Sequence, residues 1–216
     1  MLNHKTYIVA DFETGGLDCK KHEPIELAAV AIDPYKLEIV PNSEFCSLMR
    51  PLFPDNLEAK ALEVNGRTKE ELLHPDVPHP KSVWTDFCRY AKSYNKGNSR
   101  WTAPILIAHN VDFDFGFMSK LARDYKLGYN ADNDRCNLFS TNKDTVDLLF
   151  WWFEGSSELP NLRLDSFRDY TGYSKEDAHS ALPDVIFTAK VLIRYLSFQR
   201  KIANSGKFRG AFSECS

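Results

Sequence analysis

The chain has 216 residues, of which 43% are hydrophobic and 26% are charged, and its formal net charge is −3. Averages of this kind are typical of an ordinary globular domain and exclude collagen-like, low-complexity and wholly disordered chains. The slight negative charge excludes a purely electrostatic nucleic-acid binder, but it does not exclude an enzyme that acts on nucleic acid, because metal-binding carboxylates would themselves lower the net charge.

Several features of the chain bear on its compartment. No apolar run approaches the roughly 20 residues that a membrane-spanning helix needs. The first residues lead directly into a predicted strand and lack a signal-peptide core. The five cysteines are odd in number and scattered without a C-x-x-C pair, which favours free thiols and gives no support to zinc. We therefore expect a cytoplasmic protein with no membrane partner.

Strand signals dominate the beginning of the chain. Apolar runs predict three strands, over residues 7–13, 25–32 and 44–50. Thr14-Gly15-Gly16 breaks the first strand, and the short connections favour antiparallel pairing. Helical spacing of apolar residues then predicts three helices, over residues 56–64, 68–73 and 82–94.

The second half of the chain alternates strands with helices. A fully apolar strand is expected over residues 105–108 and a short fifth strand over 145–149, with a polar excursion over 128–143 between them. Helices are predicted over residues 112–125, 162–170 and 183–198. This order predicts one α/β domain over residues 1–198, built as a mixed five-stranded β-sheet flanked by α-helices, and a C-terminal tail over 199–216.

Two acidic residues stand at the carboxyl end of the first predicted strand. Asp11 and Glu13 are two positions apart, so their side chains leave the same face of the strand. Ligand sites of open α/β sheets usually lie at such strand ends. Two acids brought together after an apolar run are costly unless a cation neutralises them, whereas two acids at a solvent-exposed edge need no ligand. For this pair alone, both interpretations are open.

Two further candidate acids lie in the first turns of predicted helices. Asp114 lies in the first turn of the helix that follows the strand over 105–108, where either the helix dipole or a shared ligand site explains an acid. Pro183 favours a helix start at or next to itself. Asp184 then lies in the first helical turn, while His179 lies on the preceding loop and approaches from another direction.

Three segments carry these residues in a recognisable order. Residues 11–14, 109–114 and 179–184 resemble the three exonuclease motifs of the DnaQ-like superfamily, in the DEDD group that has histidine in its third motif. The resemblance covers about residues 6–197. It implies an RNase H-like fold and 3′→5′ exonuclease activity with two divalent cations, Mg²⁺ or Mn²⁺, both of which favour oxygen ligands.

The resemblance also implies roles for individual residues. Asp11, Glu13, Asp114 and Asp184 match the metal-binding carboxylates, and His179 matches the general base that accepts a proton from the attacking water. The expected substrate-binding residues are Thr14, Gly15, Gly16, Leu17, Asn65, His109, Asn110 and Phe113. Asn65 departs from the family pattern, which often has histidine at this position.

For several positions the sequence allows two different roles. Phe113 contacts either a terminal base or the core of the fold. Asp112 is either a charge at a helix N-terminus or a further metal contact. Asp144 and Asp147 are both candidates for a further family aspartate on the fifth strand. Near the C-terminus, residues 194–216 contain five basic residues and one acidic residue, which favours either a solvated tail or steering of a phosphate backbone.

The expected function is hydrolysis of phosphodiester bonds from the 3′ end of single-stranded nucleic acid, with DNA favoured, to release nucleoside 5′-monophosphates. The alternatives are an RNA-trimming exoribonuclease and a catalytically silent nucleic-acid-binding module. The presence of all four acids and the histidine speaks against the silent module. The expected partners are single-stranded DNA or RNA 3′ ends, and a polymerase partner or a homodimer is left open.

Overall fold

The computed structural model describes residues 5–145, 159–173 and 180–206. Its main feature is a mixed sheet with helices on both faces. The strands are β1 Tyr7–Thr14, β2 Pro24–Asp33, β3 Glu38–Ile39, β4 Phe45–Leu48, β5 Ile105–Ala108, β6 Tyr129–Asn130, β7 Arg135–Cys136 and β8 Thr141–Asp144. The helices are α1 Ala59–Val64, α2 Lys69–Leu72, α3 Pro80–Ser93, α4 Val111–Tyr125, α5 Leu164–Thr171 and α6 Ala181–Asn204, and a 3-10 turn covers Pro54–Asn56.

The strand order of the sheet is β3-β2-β1-β5-β8. β1 runs antiparallel to β2 and parallel to β5, which in turn runs parallel to β8. β3 and β4 share the outer edge of β2, where β3 pairs with Ile32 and Asp33 and β4 pairs with the stretch from Glu26 to Ala29. The predicted α/β class with a mixed sheet flanked by helices is confirmed. The described sheet has six strands rather than five, because the short β3 was not predicted, whereas β4 lies within the strand predicted over 44–50.

The last strand of the sheet differs from the prediction. The strand expected over residues 145–149 was wrong in position, because the pairing with β5 runs through Thr141–Asp144 and Thr145 already lies beyond it. Residues 146–149 lie outside the described residues. The polar excursion expected over 128–143 contains β8 and the two-stranded β6–β7 ribbon. β8 lies at the edge of the described sheet with partly exposed side chains, so it has no apolar run from which to predict it.

Successive residues of β1 point to opposite faces of the sheet. Ile8 belongs to a core cluster that includes Trp84 of α3 and Phe117 of α4. Val9 belongs to a second cluster that includes Val185 of α6. The sheet therefore lies between α3 and α4 on one face and α6 on the other, and burial of these apolar side chains drives folding.

The final helix runs past the expected domain end at residue 198. α6 continues to Asn204, so residues 199–204 of the expected tail are helical. Residues 207–216 lie outside the described residues. None of the helices in the described ranges is long and apolar enough to cross a membrane.

Arg200 ties the end of α6 to the turn that follows β2. Its guanidinium donates hydrogen bonds to the carbonyl oxygens of Pro34 and Tyr35, with 2.7 Å between Nη1 and the Tyr35 oxygen. Residues beyond 198 therefore contact the body of the domain.

We expect Arg200→Ala to lower the free energy of unfolding by about 1 kcal/mol, because hydrogen bonds from a charged donor are lost at a partly exposed position. Lys201→Ala removes the same charge from an exposed neighbour and should change the free energy by less than about 0.5 kcal/mol. Urea unfolding of both variants measures the difference. Equal stability of the two variants would show that Arg200 does not anchor the helix.

Candidate active site

The two acids of β1 face α6. Side chains alternate along the strand, and Val9 packs in the α6 cluster, so Asp11 and Glu13 leave from the same face as Val9. Antiparallel pairing places Glu13 directly opposite Glu26 of β2. Both acids stand at the carboxyl end of β1, the edge at which parallel strands of α/β sheets present ligand sites.

Asp184 completes a cluster of three carboxylates. It lies in the first turn of α6, which begins at Ala181, two residues before the predicted start. One carboxylate oxygen from each of Asp11, Glu13 and Asp184 lies within 4.8 Å of the other two. Because α6 packs against β1 and β2, this helix brings Asp184 to the strand that carries the other two acids.

Asp114 is the most buried of the four predicted acids, with 2% of its surface exposed. Its Oδ1 accepts a hydrogen bond from the backbone N–H of Phe12 at 3.0 Å. Phe12 lies between Asp11 and Glu13, so this bond attaches α4 to the acid-bearing end of β1. Asp114 is also close enough to Asp11 to disfavour its ionised form.

Burial and mutual repulsion disfavour the charged forms of these acids. Loss of solvent is the largest cause, and it raises the pKa of Asp11 well above its ordinary value, with further increases from Asp114 and Glu13. Burial raises the pKa of Glu13 to about 7, although the nearby Arg67 opposes the change. Burial raises the pKa of Asp114 to about 8. A bound cation would relieve this cost by favouring the ionised carboxylates.

The donor set fits a hard divalent cation. The three-residue cluster contains carboxylate oxygens and no sulfur or nitrogen donor. Mg²⁺ and Mn²⁺ prefer such oxygen ligands, and oxygens on opposite sides of an octahedral Mg²⁺ lie about 4 Å apart. Ligand atoms that all lie within 4.8 Å of one another are therefore close enough to contact one ion.

Glu26 is a fifth acid near the cluster that the sequence does not predict, and Arg67 is the cation that pairs with it. Glu26 is buried on β2 opposite Glu13. Arg67 donates from Nη2 to Glu26 at 2.9 Å and from Nη1 to Glu71 at 2.7 Å. Glu26 is the only charged residue in the apolar run over 25–32, which is a signal, but its pairing with Glu13 depends on the strand register.

The two other candidate aspartates among the described residues, Asp112 and Asp144, differ in their contacts. Asp144 ends β8, and its Oδ2 accepts a hydrogen bond from the N–H of Val111 at 2.8 Å, so it caps α4. Asp144 thereby orients the helix that carries Asp114. Asp112 is exposed in the first turn of α4 and is not part of the three-carboxylate cluster. Asp147 lies outside the described residues.

His109 and Asn110 connect β5 to α4. The His109 ring packs edge-on against Phe167, and its Nε2 donates to the carbonyl oxygen of Leu162 at 2.9 Å. Burial lowers the pKa of His109 and favours the neutral ring. Asn110 is exposed and its side chain makes no capping bond to α4, so it is accessible from solvent.

The predicted substrate strip over residues 14–17 begins at the last residue of β1 and continues as a loop. A Cβ at Gly15 would lie 2.5 Å from Cδ2 of Leu57, and a Cβ at Gly16 would lie 2.6 Å from the His22 ring. At Gly16 the obstacle is the buried His22 ring, which favours glycine there, whereas at Gly15 it is the end of the flexible Leu57 side chain. Leu17 is 82% exposed, which leaves its side chain accessible to a ligand.

Thr14 and Asn65 stabilise this loop from within. Asn65 is only 9% exposed, and its Nδ2 donates to the carbonyl oxygen of Thr14 at 3.0 Å. The Thr14 hydroxyl donates to the carbonyl oxygen of Gly16 at 2.9 Å. These bonds attach the end of α1 to the predicted substrate strip.

The remaining predicted residues are Phe113 and His179. Phe113 is partly buried against the core, with its ring centroid 5.1 Å from that of Phe117. His179 lies outside the described residues, so its role stays a prediction. One partner of the acids was not predicted: Arg168 of α5 donates from Nη2 to Oδ1 of Asp184 at 2.6 Å. Since the contact joins two helices, no local sequence pattern indicates it.

The sequence of this chain matches a known protein family and several known proteins. The RNase T family model, described as an exonuclease, matches residues 8–192. The PolC-type DNA polymerase III of Thermotoga maritima is 26% identical over 197 residues, which are 91% of this chain and 12% of that protein. The DNA polymerase III subunit epsilon of Buchnera aphidicola is 27% identical over 209 residues, covering 94% of this chain and 76% of the subunit.

Solved structures show the same fold. The crystal structure of E. coli Exonuclease I in complex with a dT13 oligonucleotide superposes with a TM-score of 0.72 at 15% identity, covering 93% of this chain and 43% of that one. The predicted RNase H-like fold and the resemblance to DnaQ-like exonucleases are thus confirmed. The chain belongs to the RNase T family of exonucleases.

Proposed function

We propose that this chain is a metal-dependent 3′→5′ exonuclease that releases nucleoside 5′-monophosphates from single-stranded nucleic acid, with DNA favoured. The observation that carries the proposal is the approach of Asp11, Glu13 and Asp184 to within 4.8 Å of one another beside the buried Asp114. The family membership supports an exonuclease reaction, and the polymerase relatives and the oligonucleotide complex support DNA as substrate.

The four acids, His179 and the strip over 14–17 have separate roles in the proposed reaction. The four acids would hold two divalent cations, Mg²⁺ or Mn²⁺, which when bound stabilise the attacking and the leaving oxygen of an in-line displacement. His179 accepts the proton of the attacking water, a role that histidine side chains can fill near neutral pH. The strip over 14–17 holds the terminal nucleotide, and the exposed Leu17 packs on a base without selecting its identity.

Labelled oligonucleotides test the reaction and the substrate together. We expect single-stranded DNA with a 5′ label to be shortened stepwise in Mg²⁺ and to stay intact in EDTA. Asp11→Asn should abolish shortening because it removes a shared ligand. Asp132→Asn changes an exposed acid between β6 and β7 and should retain activity. Faster shortening of RNA would favour an exoribonuclease, and intact DNA and RNA in Mg²⁺ would contradict the enzyme and favour a silent binding module.

The raised pKa values predict how pH and cations affect stability. Glu13 and Asp114 titrate near 7 and 8 in the folded protein but near 4 in the unfolded chain. The folded state therefore binds more protons between about pH 4 and pH 8, and these groups make the metal-free protein less stable as pH rises through that window. Because a cation replaces the protons, we expect Mn²⁺ to raise the Tm more at pH 8 than at pH 5.

Thermal unfolding in EDTA and in Mn²⁺ at the two pH values measures this effect. The comparison at each pH isolates the acids from groups such as His109, whose titration is common to both samples. A Tm at pH 8 that does not respond to Mn²⁺ would contradict a cation site at these acids.

Replacement of His179 tests its role as base. We expect His179→Ala to lower turnover by about 10²–10⁴-fold while Mn²⁺ and oligonucleotide still bind, because a proton acceptor is lost and the carboxylate ligands remain. His74→Ala changes an exposed histidine and serves as the control. Single-turnover rates and Mn²⁺ titrations separate the two effects. A His179→Ala variant that keeps more than about a tenth of wild-type turnover, with chemistry rate-limiting, would exclude His179 as the base.

A further inference from the structure

Arg168 of α5 is a buried cation next to the acids. Its side chain is 2% exposed, and its Nη2 lies 2.6 Å from Oδ1 of Asp184. Its Nη1 lies 3.8 Å from the half-exposed Asp165, and its Nε has no hydrogen-bond partner among the described residues. Among the described residues, the bond to Asp184 is therefore the shortest polar contact of the guanidinium.

The same side chain also packs on α6. The guanidinium carbon lies 5.0 Å from the ring centroid of Phe187, which is buried one turn after Asp184. Residues three apart on a helix share a face, so Arg168 contacts two neighbouring positions of α6 at once. A planar guanidinium held by a ring and a carboxylate has little freedom to rotate. The orientation of the Asp184 carboxylate is fixed accordingly through Oδ1.

We propose that Arg168 is a positioning residue of the acidic site, which orients Asp184 toward Asp11 and Glu13 and weakens the binding of divalent cations. This inference rests on the cation site of the proposed function. A unit positive charge beside one of the ligand carboxylates repels an incoming cation at short range, where screening by water is poor. Such repulsion lowers affinity, whereas the fixed carboxylate favours the geometry needed for turnover.

One variant separates the two effects, because removal of the guanidinium should strengthen Mn²⁺ binding and slow turnover. Arg168→Met keeps the length of the side chain and removes its charge and its hydrogen bonds. We expect Mn²⁺ to bind this variant about threefold or more tightly than wild type, because the repulsion is gone. We expect kcat at saturating Mn²⁺ to fall about tenfold or more, because Asp184 is no longer held in place. Damage to the fold would instead weaken Mn²⁺ binding and slow turnover together.

Calorimetric titration with Mn²⁺ alone, without nucleic acid, measures the affinity, and oligonucleotide shortening measures kcat. Arg89→Met removes a charge from an exposed ion pair on α3 and should match wild type in both assays. Arg168→Lys keeps the charge and the fold but lacks the planar fork. It should bind Mn²⁺ within about twofold of wild type and still turn over more slowly.

Unchanged or weaker Mn²⁺ binding by Arg168→Met that unfolds with the wild-type Tm would overturn the charge effect, and wild-type kcat in Arg168→Lys would overturn the positioning effect. If Arg168→Met does not fold, Arg168→Gln takes its place with the same expectations. A wild-type protein that binds no Mn²⁺ would overturn the cation site itself and this inference with it. A wild-type protein that binds Mn²⁺ but shortens no oligonucleotide would overturn the proposed reaction, while the affinities would still decide the charge effect.

Discussion

The repulsion among partly buried carboxylates at the carboxyl end of β1 is the constraint on which the site depends. Asp11, Glu13 and Asp184 are close enough to share one ion, and loss of solvent raises the pKa of Asp11 and of Glu13. Charged groups are not brought together in this way without compensation. The surroundings compensate in part, through the Phe12 N–H at Asp114 and the guanidinium of Arg168 at Asp184. We infer that a divalent cation compensates the remaining repulsion among the carboxylates.

The fold supplies this arrangement with few elements. Alternation along β1 sends Asp11 and Glu13 toward α6, while the intervening Phe12 packs in the opposite core cluster and offers its N–H to Asp114. The parallel strands β1 and β5 end at the same edge, so α4 starts beside the acids. Asp144 at the end of β8 caps α4 and thereby couples the edge of the sheet to the position of Asp114.

The four acids could be singled out from the sequence because their signals are local. Asp11 and Glu13 follow an apolar run, and Asp114 and Asp184 each stand in a first helical turn. The strand β8 escaped prediction because an edge strand with polar, partly exposed side chains has no apolar period to read. Glu26 and Arg168 escaped for another reason, since their contacts depend on strand register and on helix packing rather than on neighbouring residues.

Diffraction from crystals grown with Mn²⁺ would locate the cation without reference to activity, because anomalous scattering identifies the ion. We expect two Mn²⁺ peaks at the acidic cluster, bonded to oxygens of Asp11, Glu13 and Asp184, with Asp114 as the fourth carboxylate of the pair of ions. Crystals that show no Mn²⁺ among these carboxylates at saturating concentration, or that show the ion only at surface acids, would contradict the claim that this cluster is a cation site.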